Sequence, residues 1–211
     1  TSAGIHIQGC DDYQTLTSIN GAPIYYPNHL LGLYSTFIAP HFSTMTVEQA
    51  EHRGTMENRV GGLVNVETQH LQPLRFGVEG NIGLISSDAT LTIPCGKKSA
   101  LWLSGRASYI NMLYGKWLQV QGVGIGYNFW DTNLTYAIHP TENDEIVITG
   151  FFSRDNINVA DSLTFGVGIH WHNIESSFSG IKKSKKNAQD TWRHTKKAHS
   201  HTVRTPSLCI N

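Results

Sequence analysis

The chain has 211 residues, and 16 lysines and arginines balance 16 aspartates and glutamates, so its formal net charge is zero. This balance does not indicate nucleic-acid binding for the molecule as a whole. Charged residues make up 15% of the chain, below the roughly 25% usual for soluble domains. Its 20 glycines, 8 tyrosines and 5 tryptophans are typical of an all-β protein, whether soluble or in a membrane. No apolar run of about 18 residues exists, which excludes a transmembrane helix.

The three cysteines, Cys10, Cys95 and Cys209, are widely spaced and form no CxxC pair. The sequence therefore predicts neither a zinc site nor a disulfide framework. No leader with a basic, then apolar, then small-residue pattern opens the chain. We expect that a secreted or outer-membrane protein with this sequence would be missing its own start.

Residues 1–72 form a mixed zone in which Pro23, Pro27 and Pro40 interrupt any long element. A short helical stretch is expected near Thr46–His52. The neighbouring carboxylates of Asp11 and Asp12 are interpreted as a solvated turn, because adjacent side chains in a loop usually point apart.

Residues 73–178 alternate apolar and polar side chains with period two, which predicts strands with one apolar and one polar face. The predicted strands are 74–85, 88–93, 99–110, 124–138, 145–154 and 163–172. Strands of about 9 to 11 residues with aromatic ends are typical of a transmembrane barrel. Short turns between successive strands predict an antiparallel meander. The apolar face is expected to carry Leu101, Leu103, Phe165, Val167 and Ile169. The polar face is expected to carry Ser104, Arg106, His170 and His172.

The last zone, residues 179–211, loses this alternation. Eight of the 16 basic residues lie in the last thirty positions. This composition predicts a disordered, solvated tail, with a nucleic-acid or anionic-lipid patch as the alternative.

One segment has a specific likeness. Residues 20–32, N-G-A-P-I-Y-Y-P-N-H-L-L-G, resemble part of the plug domain of TonB-dependent outer-membrane receptors of the Bacteroidetes type. Residues 5–14 and Arg59–Gly62 are similar to two further plug elements. Residues 80–87 are similar to the first barrel strand of that family, and residues 134–138 with 150–155 resemble a later barrel hairpin. The chain departs from the family pattern at Gln8, Cys10, Asn20 and Tyr26.

The resemblance implies a mainly all-β fold with three parts: a partial plug domain over residues 1–72, the first strands of the β-barrel over 73–178 and the basic tail over 179–211. About six strands of a twenty-two-strand barrel form only a shallow arc. We therefore expect an open antiparallel meander with an apolar outer face and the plug against its polar face. The chain is expected to be a partial or degenerate receptor that is not transport-competent alone.

The same resemblance implies location in the cell outer membrane, with TonB, outer-membrane lipid and an unknown small solute as partners and no nucleic acid. The candidate ligand-binding residues are Tyr25, Tyr26, Asn28 and His29, which combine aromatic faces with hydrogen-bonding tips between two prolines. The alternative is that this loop only packs the plug against the barrel wall.

No catalytic constellation, metal site or cofactor site is predicted, so the chain is not expected to be an enzyme. His170 and His172 have a spacing that a sheet-borne metal site could use, but no third ligand matches it. The glycines of Gly122–Gly126 precede a strand, so they are interpreted as a strand bend and not a phosphate loop. The rival hypothesis is a soluble β-rich carbohydrate- or ligand-binding module, such as a sandwich lectin.

Overall fold

In the computed structural model, the described residues of this protein form three β-sheets and one short α-helix. The structure describes residues 5–7, 9–25, 27–29, 32–49, 60–117, 119–120, 123–161, 166–182, 193–194 and 199–201. Within these ranges every sheet is open and none closes into a barrel. The predicted mainly all-β fold is confirmed.

The N-terminal unit contains a four-stranded sheet and a two-stranded one. Its strands are β1 (Thr15–Ile19), β2 (Ala22–Ile24), β3 (Asn28–His29), β4 (Tyr34–Ser35), β5 (Phe42–Gln49) and β6 (Gly62–Thr68). The larger sheet has the order β2-β1-β6-β5, in which β1 and β6 are parallel, and β3 pairs with β4. Asn20 and Gly21 both have positive φ, which suits the tight turn between β1 and β2.

The helix predicted near Thr46–His52 is wrong. The described part of that stretch belongs to β5, and residues 50–52 lie outside the described residues. The β-branched residues Thr44, Thr46 and Val47 favour an extended backbone. Pairing with β6 then satisfies the hydrogen bonds of that backbone.

The C-terminal sheet has nine strands within the described residues, and six of them form an antiparallel meander in the order predicted. They are β7 (Gly77–Ile82), β8 (Ser86–Pro94), β9 (Ser99–Ser108), β11 (Val123–Ile138), β12 (Asp144–Asp161) and β13 (Gly166–Lys182). A short helix α1 (Ile110–Tyr114) and a two-residue strand β10 (Gln119–Val120) connect β9 to β11. The last three strands of the meander have 16, 18 and 17 residues, longer than the sequence predicts.

Apolar side chains, most of them aliphatic, form continuous rows along one face of this sheet. One row runs across four strands through direct register partners: Val78, Leu91, Leu103 and Leu134. A second row runs across five strands: Ile93, Leu101, Tyr136, Ile148 and Phe178. Many of these side chains are exposed, for example Leu134 at 39% and Phe178 at 48%. We call this surface the outer face.

The opposite, inner face carries polar side chains, yet the N-terminal unit buries it. Among its buried polar residues are Ser86, Thr90, Ser104, Arg106, Asp131, Asn133, Thr135, Thr149, Ser153 and Asp155. Ile19 and Ile24 of the N-terminal unit pack on Phe151 of this face. Asn20 donates a hydrogen bond to Thr149 Oγ1 at 2.8 Å. Polar groups thus lie on the inner face and aliphatic groups on the outer face. The alternation predicts this arrangement for β8, β9 and β11, and for β12 up to about residue 154.

The predicted faces of β13 are wrong. The register places position 170 opposite Asn156 and position 172 opposite Arg154, whereas position 171 lies opposite the inner-face residue Asp155. The physical reason is a change in polarity along the sheet. Beyond the end of β9 the inner face is apolar, since Ile157 packs there with Ile110, Tyr127 and Phe129. Phe165 and the side chains of Val167, Ile169, His170 and His172 lie outside the described residues.

Two short strands follow β13 within the basic tail. They are β14 (Arg193–His194) and β15 (His199–His201), and both pair with β13. The other positions from 183 onward lie outside the described residues, so disorder of the tail stays a prediction. No helix in the described part of the chain is long and apolar enough to cross a membrane.

Gly62 occupies a position that the close packing of β5 and β6 restricts to glycine. Its φ is +147°, and a Cβ there would lie 2.6 Å from the backbone oxygen of Glu48. We expect Gly62→Ala to lower the free energy of unfolding by about 1–3 kcal/mol. Gly105→Ala is the matched control, because no atom lies within 4 Å of its Cβ position. Equal losses in urea unfolding of the two variants would contradict this account.

Candidate functional site

The candidate site lies where one loop of the N-terminal unit meets the inner face. This loop, the Pro27–Ile38 segment, contains β3 and β4. Among the sequence-predicted ligand residues, Tyr25 is 43% exposed, while Asn28 and His29 are buried. Tyr26 lies outside the described residues. The structure therefore separates the predicted residues: His29 contacts the sheet, and Tyr25 faces outward beside it.

His29 is held between two carboxylates of neighbouring strands. Its Nδ1 lies 2.9 Å from Asp155 Oδ1, and its Nε2 lies 2.8 Å from Asp131 Oδ1. The side chains of all three residues are 0–1% exposed. The imidazole ring also stacks on Phe129, with 4.1 Å between ring centroids. For His29 this geometry favours the packing interpretation of the loop over ligand contact.

Other groups besides His29 donate hydrogen bonds to the two carboxylates. Arg106 Nε donates to Asp131 Oδ2 at 2.8 Å, and its Nη2 donates to the backbone oxygen of Ser35 at 2.7 Å. The Tyr127 hydroxyl donates to Asp155 Oδ1. The guanidinium of Arg106 lies over the ring of Tyr34, 5.0 Å from its centroid. We call His29, Arg106, Asp131 and Asp155, with the Tyr127 hydroxyl, the His29 cluster.

The protonation of His29 follows from its partners. Burial of the ring acts to lower its pKa, but the hydrogen bonds and negative charges of Asp131 and Asp155 outweigh burial, so the pKa of His29 is raised from its ordinary value. The geometry agrees, because both ring nitrogens face carboxylate acceptors and only an imidazolium has two N–H donors. The ring is therefore a buried cation between two anions.

His41 provides a contrast on the same interface. Its ring is also fully buried, but its partners are hydroxyl groups: Ser104 Oγ at 2.7 Å and Thr135 Oγ1 at 2.9 Å. A neutral imidazole suits them, since one nitrogen donates to one hydroxyl and the other accepts from the second. Burial lowers the pKa of His41 to about 4.

The lowered pKa of His41 predicts a loss of stability in acid. Unfolded His41 binds a proton near pH 6.5, whereas the folded protein resists it down to about pH 4. Stability from this group is therefore complete above pH 6.5 and falls by about 3 kcal/mol as the pH decreases to 4. His41→Gln removes this slope, measured by urea unfolding at a series of pH values.

The control for this titration is His70→Gln, a change in the same unit at a histidine bonded to the Thr68 backbone oxygen. That variant retains the acid slope of the wild type. A full slope in His41→Gln would show that His41 is not its source.

A cavity of about 400 Å³ lies beside the His29 cluster. One wall comes from the Pro27–Ile38 segment, with Tyr34 and Phe37, and the other comes from β7 to β9, with Glu79, Asp88 and Arg106. Aromatic rings and carboxylates together can contact a small polar solute. Sequence reasoning did not identify this cavity, since its two walls are about 40 to 70 positions apart in the sequence.

The His29 cluster was also missed as a unit, although part of the signal was present. Period two places Arg106 and Asp131 on the polar parity of their strands. The pairing of His29 with Asp131 and with Asp155 joins positions that are 102 and 126 residues apart in the chain. In the described ranges, no group of three or more histidine, cysteine, aspartate or glutamate side chains is arranged to hold a metal ion.

Comparisons with known proteins do not assign this chain to a family. No protein-family model matches the chain, and no curated protein matches it.

Proposed function

We propose that this chain forms the later part of the plug and the first barrel strands of a TonB-dependent outer-membrane receptor. In such a receptor a small solute binds outside the outer membrane and is taken up when TonB acts on the plug. The role is non-enzymatic, and the partners are TonB, outer-membrane lipid and a solute of unidentified chemistry. We propose that this chain is one part of the receptor and does not transport the solute by itself.

The observation that carries the proposal is the inverted placement of side chains in the C-terminal sheet. The aliphatic rows lie on the exposed outer face, while Arg106, Asp131 and Asp155 are buried beneath the N-terminal unit. In a soluble sandwich the aliphatic face would be sealed between sheets. Exposed aliphatic rows of this extent suit a lipid surface, where strands alternate apolar-out and polar-in.

The contact between the N-terminal unit and the sheet gives further support. Much of it is polar: His29, His41 and Asn20 each bond to a side chain of the inner face. A plug that fills the polar lumen of a barrel requires contacts of this chemistry. The sequence likeness of residues 20–32 includes Asn20, in the turn between β1 and β2, and His29, in the Pro27–Ile38 segment.

A solute site is proposed at the edge of this loop. Tyr25 is exposed, and the adjoining cavity is lined by the Pro27–Ile38 segment. The role of Tyr25, Tyr26 and Asn28 in ligand contact stays a prediction.

Extraction tests the proposal against the soluble alternative. The chain, expressed with an outer-membrane leader, should sediment with membranes and should stay monodisperse only in detergent. Gel filtration with light scattering measures this. A monodisperse chain in detergent-free buffer that unfolds cooperatively would overturn the receptor proposal and favour the soluble binding module.

A further inference from the structure

We propose that the His29 cluster is a proton-operated latch, which holds the Pro27–Ile38 segment on the inner face while His29 carries two ring protons and releases it when one is lost. The segment reaches the sheet through His29, Ser35 and Tyr34. His29 is the link among these three whose charge changes near neutral pH. This inference does not depend on location in a membrane.

The hydrogen bonds of the cluster require the protonated ring. The carboxylates of Asp131 and Asp155 are acceptors, and each faces a ring nitrogen at 2.8–2.9 Å. A neutral ring has one N–H, so one nitrogen lone pair would then face a carboxylate oxygen. That contact is repulsive, and it lies in a site with 0–1% exposure, where water cannot relieve it.

The charge balance of the cluster leads to the same conclusion. Two cations, His29 and Arg106, face two anions, Asp131 on β11 and Asp155 on β12. The Tyr127 hydroxyl donates to Asp155, and the Tyr34 ring lies against Arg106. Loss of the His29 proton leaves a buried net charge of about −1, a state that burial disfavours strongly. Release of the segment lets water reach Asp155.

Release would also change the cavity. Tyr34, Phe37 and Ile38 belong to the segment and line one of its walls. When the segment leaves the sheet, that wall moves and the cavity opens. The latch thus couples a single proton to access to this space.

The sign of the pH dependence follows from linkage. In the released segment His29 titrates near pH 6.5, and in the latched segment it holds its proton to higher pH. The population of the released state is therefore constant below pH 6.5. It rises about tenfold per pH unit above that value, until the latched form also loses its proton.

Hydrogen exchange of the whole chain between pH 6 and 9.5 tests the latch, after correction for the intrinsic pH dependence of amide exchange. We expect protection of peptides within residues 27–38 to fall about tenfold per pH unit above 6.5. Protection of β1 should change much less, because β1 pairs with β2 and β6. The protein is kept in whichever buffer or detergent holds it monodisperse.

Two variants test whether His29 causes the fall in protection above pH 6.5. His29→Gln should give low protection of residues 27–38 with no alkaline slope. His41→Gln, a change at the other buried histidine of the interface, should retain the slope. Protection in the wild type that is flat from pH 6 to 9.5 overturns the latch, even if His29→Gln does not fold. A slope that persists in His29→Gln also overturns it.

Discussion

Replacing Asp131 with alanine should lower the free energy of unfolding by about 3–5 kcal/mol, the usual cost of removing one partner from a buried ion pair. Asp131 accepts hydrogen bonds from both His29 and Arg106, and its side chain is 0% exposed. His29 can respond by losing a proton, but Arg106 stays charged at any ordinary pH. The variant therefore leaves a buried cation without its carboxylate.

Asp88→Ala is the matched control, because Asp88 lies opposite Arg106 on β8 as Asp131 does on β11. The Asp88 carboxylate instead contacts Asn81 at 3.5 Å in an exposed position. We expect a loss of under about 1 kcal/mol for this variant. Denaturant unfolding measures both, and an Asp131→Ala loss no larger than that of Asp88→Ala would contradict the structure of the cluster.

Truncating Phe129 should cost about 3–5 kcal/mol, the range for deleting a fully buried aromatic side chain. Phe129 is 1% exposed, stacks on His29 and packs with Ile110 and Tyr127. Its ring supports both the segment and the strands, so Phe129→Ala leaves a cavity at the centre of the interface.

Trp130 provides the control on the next position of the same strand. It lies on the outer face at 40% exposure, where its ring contacts Phe152 at 4.7 Å between centroids. We expect Trp130→Ala to cost about 1 kcal/mol in detergent, since much of its ring is already outside the protein core. If both truncations cost the same, the assignment of the two faces of β11 is wrong.

Period two was sufficient to predict much of the fold. It separated Leu103 from Ser104 and Leu134 from Asn133, because alternation assigns a face wherever one face is consistently apolar. The alternation assigned the wrong faces to β13. The stretch of β13 that bears glycines and histidines lies beyond the aliphatic rows, where the inner face becomes apolar. Period two also failed on β5, because the pairing with β6 that extends this strand depends on residues distant in sequence.

The candidate site was harder to predict from the sequence, because it depends on contacts between distant parts of the chain. Alternation indicates that Arg106 and Asp131 share a face, but it carries no information on which side chain of the N-terminal unit lies above them. The sequence singled out His29 with its loop as a candidate ligand-binding residue, and that role stays a prediction. Its position between two carboxylates depends on the register of β11 and β12 and on where the loop contacts the sheet, and both are tertiary properties.

The receptor proposal predicts that the outer face of the C-terminal sheet, and not the inner face, contacts lipid. Two variants of the chain, one retaining only Trp130 and one retaining only Trp102, can be reconstituted in vesicles with brominated acyl chains, the other tryptophans being replaced by phenylalanine. Trp130 lies on the outer face, whereas Trp102 is 3% exposed on the inner face. We predict strong bromine quenching of Trp130 fluorescence and little quenching of Trp102. Equal quenching of the two, or none for Trp130, would contradict the assignment of the outer face to lipid.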